Sequence, residues 1–185
     1  DVDVRRVGLF GQAPLVVYAS SETHSSVVRA VEILGIGRDN LRRIPCSPPD
    51  TYRVDVAALR AAIVADRAAG RVPMAVVGHA GTVNTAAIDD LDALADVARD
   101  EHVHFHVDGA FGAVGWLDDQ HPHVRAALRG MQRADTLAFD AHKWLNVTFD
   151  AGVLLSRDAA AHRAAFASGA AYLARHERGL AGGTH

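Results

Sequence analysis

Of the nineteen basic residues in this chain, eighteen are arginine and one is lysine, Lys143, set between His142 and Trp144. Arginine keeps its proton near neutral pH, whereas a lysine amine can lose it, attack a carbonyl and form a Schiff base. Lys143 is therefore a candidate nucleophile, against the plain alternative that one lysine persists by chance in an arginine-rich composition. Asp108 follows the run 103–107 and precedes Gly109, Ala110, Phe111 and Gly112, a stretch rich in small residues that let a flat group approach the backbone. Thr82 lies in a turn-like stretch after the apolar run 74–77. Taken alone, a carboxylate and a lysine brought together are better explained by a structural ion pair.

Other groupings carry less. His24 beside Ser25 and Ser26 suits a helix cap, and adjacent residues at a helix start do not give the contact of a nucleophile with its base. His102, His104, His106 and Asp108 alternate, which in a strand places all four on one face. A straight strand separates residues i and i+4 by about 13 Å, too far to share one ion, so no metal site is expected. Trp144 is expected to serve packing.

The elements that must position these groups alternate along the chain. Strands are expected over 15–18, 41–44, 74–77, 103–107, 136–139 and 153–155. Helices are expected over 25–34, 56–70, 91–98, 122–129 and 159–172, with Gly35 and Gly70 as stops and Asp89 and Asp90 as caps of the third. This succession predicts an α/β fold, a mostly parallel sheet sandwiched by helices, with ligands gathering outside the carboxyl ends of the strands. Residues 1–174 are expected to form one domain and the polar, glycine-rich 175–185 to lead out of it.

The 185 residues are 49% hydrophobic and 22% charged, which excludes disorder and collagen-like architecture. A net charge of −3 leaves no electrostatic footprint for nucleic acid or an anionic membrane. The single Cys46 cannot form an intrachain disulfide, and no apolar run approaches the roughly 18 residues a membrane span needs. A soluble, cytoplasmic protein is expected.

Four stretches together resemble the pyridoxal phosphate-dependent amino-acid decarboxylases of the aromatic amino acid, histidine and glutamate decarboxylase group. They are Ser20-Ser21-Glu22-Thr23-His24-Ser25-Ser26, Ala80-Gly81-Thr82-Val83-Asn84-Thr85 with Ile88-Asp89-Asp90-Leu91 after it, His106-Val107-Asp108-Gly109-Ala110-Phe111-Gly112, and Asp140-Ala141-His142-Lys143-Trp144-Leu145. The likeness covers residues 14–173 and implies the central, lysine-bearing part of the large domain of a fold-type I enzyme. It implies that Lys143 carries pyridoxal 5'-phosphate as a Schiff base and that Asp108 accepts the pyridinium N–H, keeping the ring an electron sink. His24 would stack on one face of the ring with Ala110 against the other, and Thr82, His142 and Asp140 would contact the phenolic oxygen or phosphate region. Many relatives carry asparagine where Asp140 stands.

The reaction implied is decarboxylation of an L-amino acid to an amine and carbon dioxide, in a homodimer whose active sites are completed at the interface. The family's chains are longer, so further segments are expected on both sides, including the loop that supplies a proton donor. The same lysine and aspartate also serve aminotransferases and carbon–carbon lyases. A truncated, non-catalytic relative acting as a binding module is a third reading. The residues leave the particular amino acid open.

Overall fold

Short valine-rich runs become buried strands where both sheet faces are covered, because such a strand needs no polar alternation. The computed structural model describes residues 3–48 and 51–166, and five of these runs form parallel strands. They are β1 (Leu15–Ser20), β2 (Leu41–Ile44), β3 (Val72–His79), β4 (His104–Asp108) and β5 (Thr136–Asp140). A sixth, β6 (Gly152–Ser156), pairs antiparallel with β5, and the order is β2-β1-β3-β4-β5-β6. The helices are α1 (Val4–Val7), α2 (Ser25–Ile33), α3 (Val56–Ala68), α4 (Leu91–Asp100), α5 (Pro122–Ala127), α6 (Ala141–Trp144) and α7 (Ala159–Phe166). The architecture is the expected α/β fold with a mostly parallel sheet.

The order of strands decides where a crevice opens. β1 has β2 on one side and β3 on the other, so successive connections leave β1 in opposite directions and the switch point lies between β1 and β3. Local chemistry fixes the helices beside it. Asp55 and Asp90 accept the backbone N–H of Ala58 and Ala93 at the starts of α3 and α4. Gly35, at φ 71°, turns the chain out of α2 in the left-handed region that favours glycine.

One sheet face packs on α3 and α4 through Tyr18, Leu59, Ile63, Leu94, Phe105 and Val107. The opposite face is covered by α2 over β1, where Val17, Ala19, Val31 and Val77 cluster. Beyond α2 the same face carries His104, His106 and Asp108, the alternate positions to Phe105 and Val107.

Three expectations change. His102 is not on β4: it has a left-handed φ of 51° in the turn after α4, so the four-residue alternation reduces to three. The helix expected over 122–129 stops at Ala127 and gives way to a tighter 3-10 turn, Arg129–Arg133. There Gly130 backs onto α4 so closely that a Cβ would lie 2.4 Å from the Leu91 carbonyl carbon, and the chain must bend around it. Asp89 does not cap α4. The helix expected over 159–172 is described as far as Phe166; its remainder and the boundary at 174 lie outside the described residues. No described helix is long and apolar enough to cross a membrane.

Candidate active site

At the carboxyl edge of the sheet, beside the switch point, lies a cavity of about 700 Å³. Four strands deliver groups to it: His24 after β1, Thr82 after β3, Asp108 and Ala110 at and after β4, and Asp140 and Lys143 at and after β5. Six of the seven residues singled out in the sequence thus share one lining. His142 lies outside it. Its Nδ1 accepts from the Ala151 N–H at 3.1 Å and its ring meets Phe149 edge-on at 4.6 Å between centroids, so it ties α6 to the following loop.

His24 is a helix cap and a cavity residue at once. Its Nδ1 accepts from the Ser26 N–H at 3.2 Å and lies 2.9 Å from the Ser26 hydroxyl. Accepting at Nδ1 is open only to the ring whose proton sits on Nε2, so the cap also fixes the tautomer. The two readings of this residue do not compete.

Asp108 Oδ1 accepts from the Ala110 N–H at 3.0 Å, and among the described residues no donor reaches Oδ2, which leaves one oxygen for a ligand N–H. The glycines beside it have a different purpose from the one expected. A Cβ on Gly109 would lie 2.5 Å from the Ala113 Cβ, and one on Gly112 would lie 2.3 Å from the Ala80 carbonyl oxygen. Their bareness admits neighbouring parts of the protein, side chain and backbone at Gly109 and backbone at Gly112, not a flat ligand. On the same face, burial pushes the His106 imidazole below its ordinary pKa, opposed by the nearby Asp108 charge. The His106 Nδ1 and the His104 Nε2 both lie 2.8 Å from the Thr136 hydroxyl.

Lys143 reaches back to Asp140, Nζ to Oδ2 at 2.7 Å, with side chains 41% and 27% exposed. An ion pair so open to water is worth less than about 1 kcal/mol, so the amine is cheaply released. Thr82 is buried and bonds the Thr85 hydroxyl at 2.7 Å, holding the turn between β3 and α4. Trp144 packs edge-on against Phe111 at 5.5 Å but remains 60% exposed, so it is no core residue.

One lining residue escapes the sequence reading. His79 ends β3, is 2% exposed, and places Nδ1 2.9 Å from Asp89 Oδ2 and Nε2 2.9 Å from the Thr23 hydroxyl. Asp89 also accepts the backbone N–H groups of Val54 and His79, at 2.8 and 2.9 Å. Ten residues separate His79 from Asp89 and fifty-six separate it from Thr23, so no local pattern announces the trio. The only signal was a histidine closing an otherwise apolar run.

A mostly parallel open sheet that brings a lysine, a carboxylate and an imidazole to its switch point belongs to the α/β proteins that bind ligands at that edge. The chain belongs to the pyridoxal-dependent decarboxylase family, whose conserved domain matches residues 6–185. It is 41% identical over 143 residues to an aromatic-L-amino-acid decarboxylase of Bacillus atrophaeus, covering 77% of this chain and 29% of that one. A tryptophan decarboxylase of Camptotheca acuminata is 42% identical, over 75% of this chain and 27% of its own. The crystal structure of Oryza sativa TDC with PLP and tryptamine superposes with a TM-score of 0.84 at 34% identity, covering 94% of this chain and 35% of that one. The chain therefore spans less than a third of the curated relatives it matches. The donor set fits the family's cofactor, pyridoxal 5'-phosphate: a lightly held amine, a carboxylate with a free oxygen and an imidazole line one cavity.

Proposed function

We propose that this chain supplies the cofactor-holding part of a pyridoxal phosphate-dependent decarboxylase of aromatic L-amino acids. The observation that carries the reading is the shared cavity of Lys143, Asp108 and His24. Lys143, once released from Asp140, would hold the cofactor's aldehyde carbon through its amine. Asp108 would accept the ring N–H at its free oxygen and, as a carboxylate beside a cation, would favour the protonated nitrogen. His24 and Ala110 would pack against the ring and fix its orientation. Thr82 and Asp140 would contact the phenolic or phosphate region, with His142 holding the lysine segment through the Ala151 backbone. When bound, the cofactor supplies an electron sink for the pair left as carbon dioxide departs.

The substrate class rests on the lining, which is apolar where Val27, Val31, Leu34, Met74, Val83 and Phe111 contribute, and on the names of the relatives. Exposed Trp144, Leu145, Val147 and Phe149 beside the lysine helix support completion of the site by a second copy in a homodimer. The test is to add pyridoxal phosphate to the complete protein, reduce with borohydride, digest, and locate the added mass. Label on Lys143, with amine and carbon dioxide released from L-tryptophan, L-tyrosine or L-DOPA, is the expected result. No label on the complete protein rejects the reading, and a keto acid or aldehyde in place of the amine moves it to an aminotransferase or lyase.

A further inference from the structure

Two restraints converge on the segment that carries His24, and only one of them is the cap of α2. The other begins at Asp89, whose carboxylate is wholly buried and places Oδ2 2.9 Å from the His79 Nδ1. On the other side of the same ring, Nε2 lies 2.9 Å from the hydroxyl of Thr23, within hydrogen-bond reach. Thr23 is 8% exposed, its own N–H donates to the Ser20 carbonyl at 3.0 Å, and the next residue is His24. The chain of bonds thus runs from the start of α4, through the end of β3, to the residue that precedes the cavity imidazole. It crosses the switch point between β1 and β3. Every polar atom in it has a partner, and its far end is fixed again by the Val54 N–H.

We infer that Asp89, His79 and Thr23 form a buried positioning relay that sets the plane of the His24 imidazole over the cavity. The inference rests on the proposed role of His24 against the cofactor ring. The Ser26 cap fixes which nitrogen carries the proton but holds His24 only from its helix side. Anchoring Thr23 through both its amide and its hydroxyl holds the Cα from which the His24 peptide departs, so that peptide cannot shift without breaking a buried bond. His79 and Thr23 act through His24 and are positioning residues.

The experiment compares Thr23→Val, which keeps the shape and deletes the hydroxyl, with Thr23→Ser, which keeps the hydroxyl, in the complete protein loaded with pyridoxal phosphate. Three quantities are read: borohydride labelling of Lys143, the visible circular dichroism of the bound cofactor, and kcat and KM on whichever of L-tryptophan, L-tyrosine and L-DOPA the wild type turns over fastest. Labelling is expected to persist in both variants. Thr23→Val is expected to lose at least about half of the induced ellipticity and to lower kcat about tenfold or more, the scale of a small misplacement, with KM within about twofold. Thr23→Ser is expected to restore both.

Wild-type ellipticity and kcat in Thr23→Val overturn the relay, as does a Thr23→Ser protein impaired as much as Thr23→Val. Where Thr23→Val does not fold, Thr23→Cys replaces it: a thiol is a weaker hydrogen-bonding group in either direction, so intermediate ellipticity supports the relay and unchanged ellipticity overturns it. A wild-type protein that takes no label at Lys143 overturns the cofactor reading itself, and the relay with it. Label on the wild type with silent Thr23 variants removes the relay alone.

Discussion

Two carboxylates flank the cavity and meet basic partners at nearly equal distances, Asp89 with His79 at 2.9 Å and Asp140 with Lys143 at 2.7 Å. Their surroundings are opposite. Asp89 is wholly buried and holds two backbone N–H groups besides the imidazole, whereas Asp140 and Lys143 both stand partly in water. Distance therefore says little about what each pair does. Burial makes the first a fixed part of the frame, since removing a partner strands buried polar groups without a hydrogen bond. Exposure makes the second a loose latch, which a nucleophile that must leave its partner requires.

The sharpest test of this contrast separates activity from stability at the latch. Lys143→Arg keeps the charge beside Asp140 but cannot hold the cofactor, so turnover is expected to fall on the order of 10⁴-fold or more while the urea midpoint stays near wild type. On the frame side, Asp89→Ala is expected to cost about 3 to 5 kcal/mol in urea unfolding, because it leaves the His79 ring and the buried amides of Val54 and His79 without their acceptor. A loss under about 1 kcal/mol there would erase the distinction.

His106 offers a gentler reading through pH. Burial holds its native pKa below the ordinary value of about 6.5, so the unfolded chain binds the extra proton first and stability is lost as pH falls below that value. The slope reaches at most about 1.4 kcal/mol per pH unit down to the native pKa, and His106→Asn is expected to flatten it in urea titrations at pH 5.5 and 7.5. The smallest effect belongs to Asp140→Asn. It is expected to shift stability by less than about 1 kcal/mol and to speed borohydride labelling of Lys143 by releasing the amine.

Local patterns reveal some parts of this molecule and not others. The apolar runs, the helix stops at Gly35 and Gly70 and the lone lysine are readable because each expresses a property of its own neighbourhood. The placement of Thr82, Asp108 and Lys143 at one edge follows from topology, since parallel strands present their carboxyl ends together. The direction of Asp89 is not readable: two adjacent aspartates before a helix look alike, and only the position of His79 across the fold decides which one turns inward. The glycines after Asp108 mislead for a related reason. A missing side chain shows that something comes close, and not whether it is ligand or backbone.

The close approach of Gly112 to Ala80 bears on how this edge of the molecule moves. Ala80 N–H donates to the Asp108 carbonyl at 2.9 Å and Gly109 N–H to the Ala138 carbonyl at 2.8 Å, so the exits of β3, β4 and β5 are stitched in series. A fluctuation that opens one exit must part the next, so their amides are expected to exchange hydrogen with solvent as one cooperative group, slower than the loop around Val147. The aspartate, the threonine turn and the base of the lysine segment would then breathe together, and their spacing would survive the thermal motion of a surface loop.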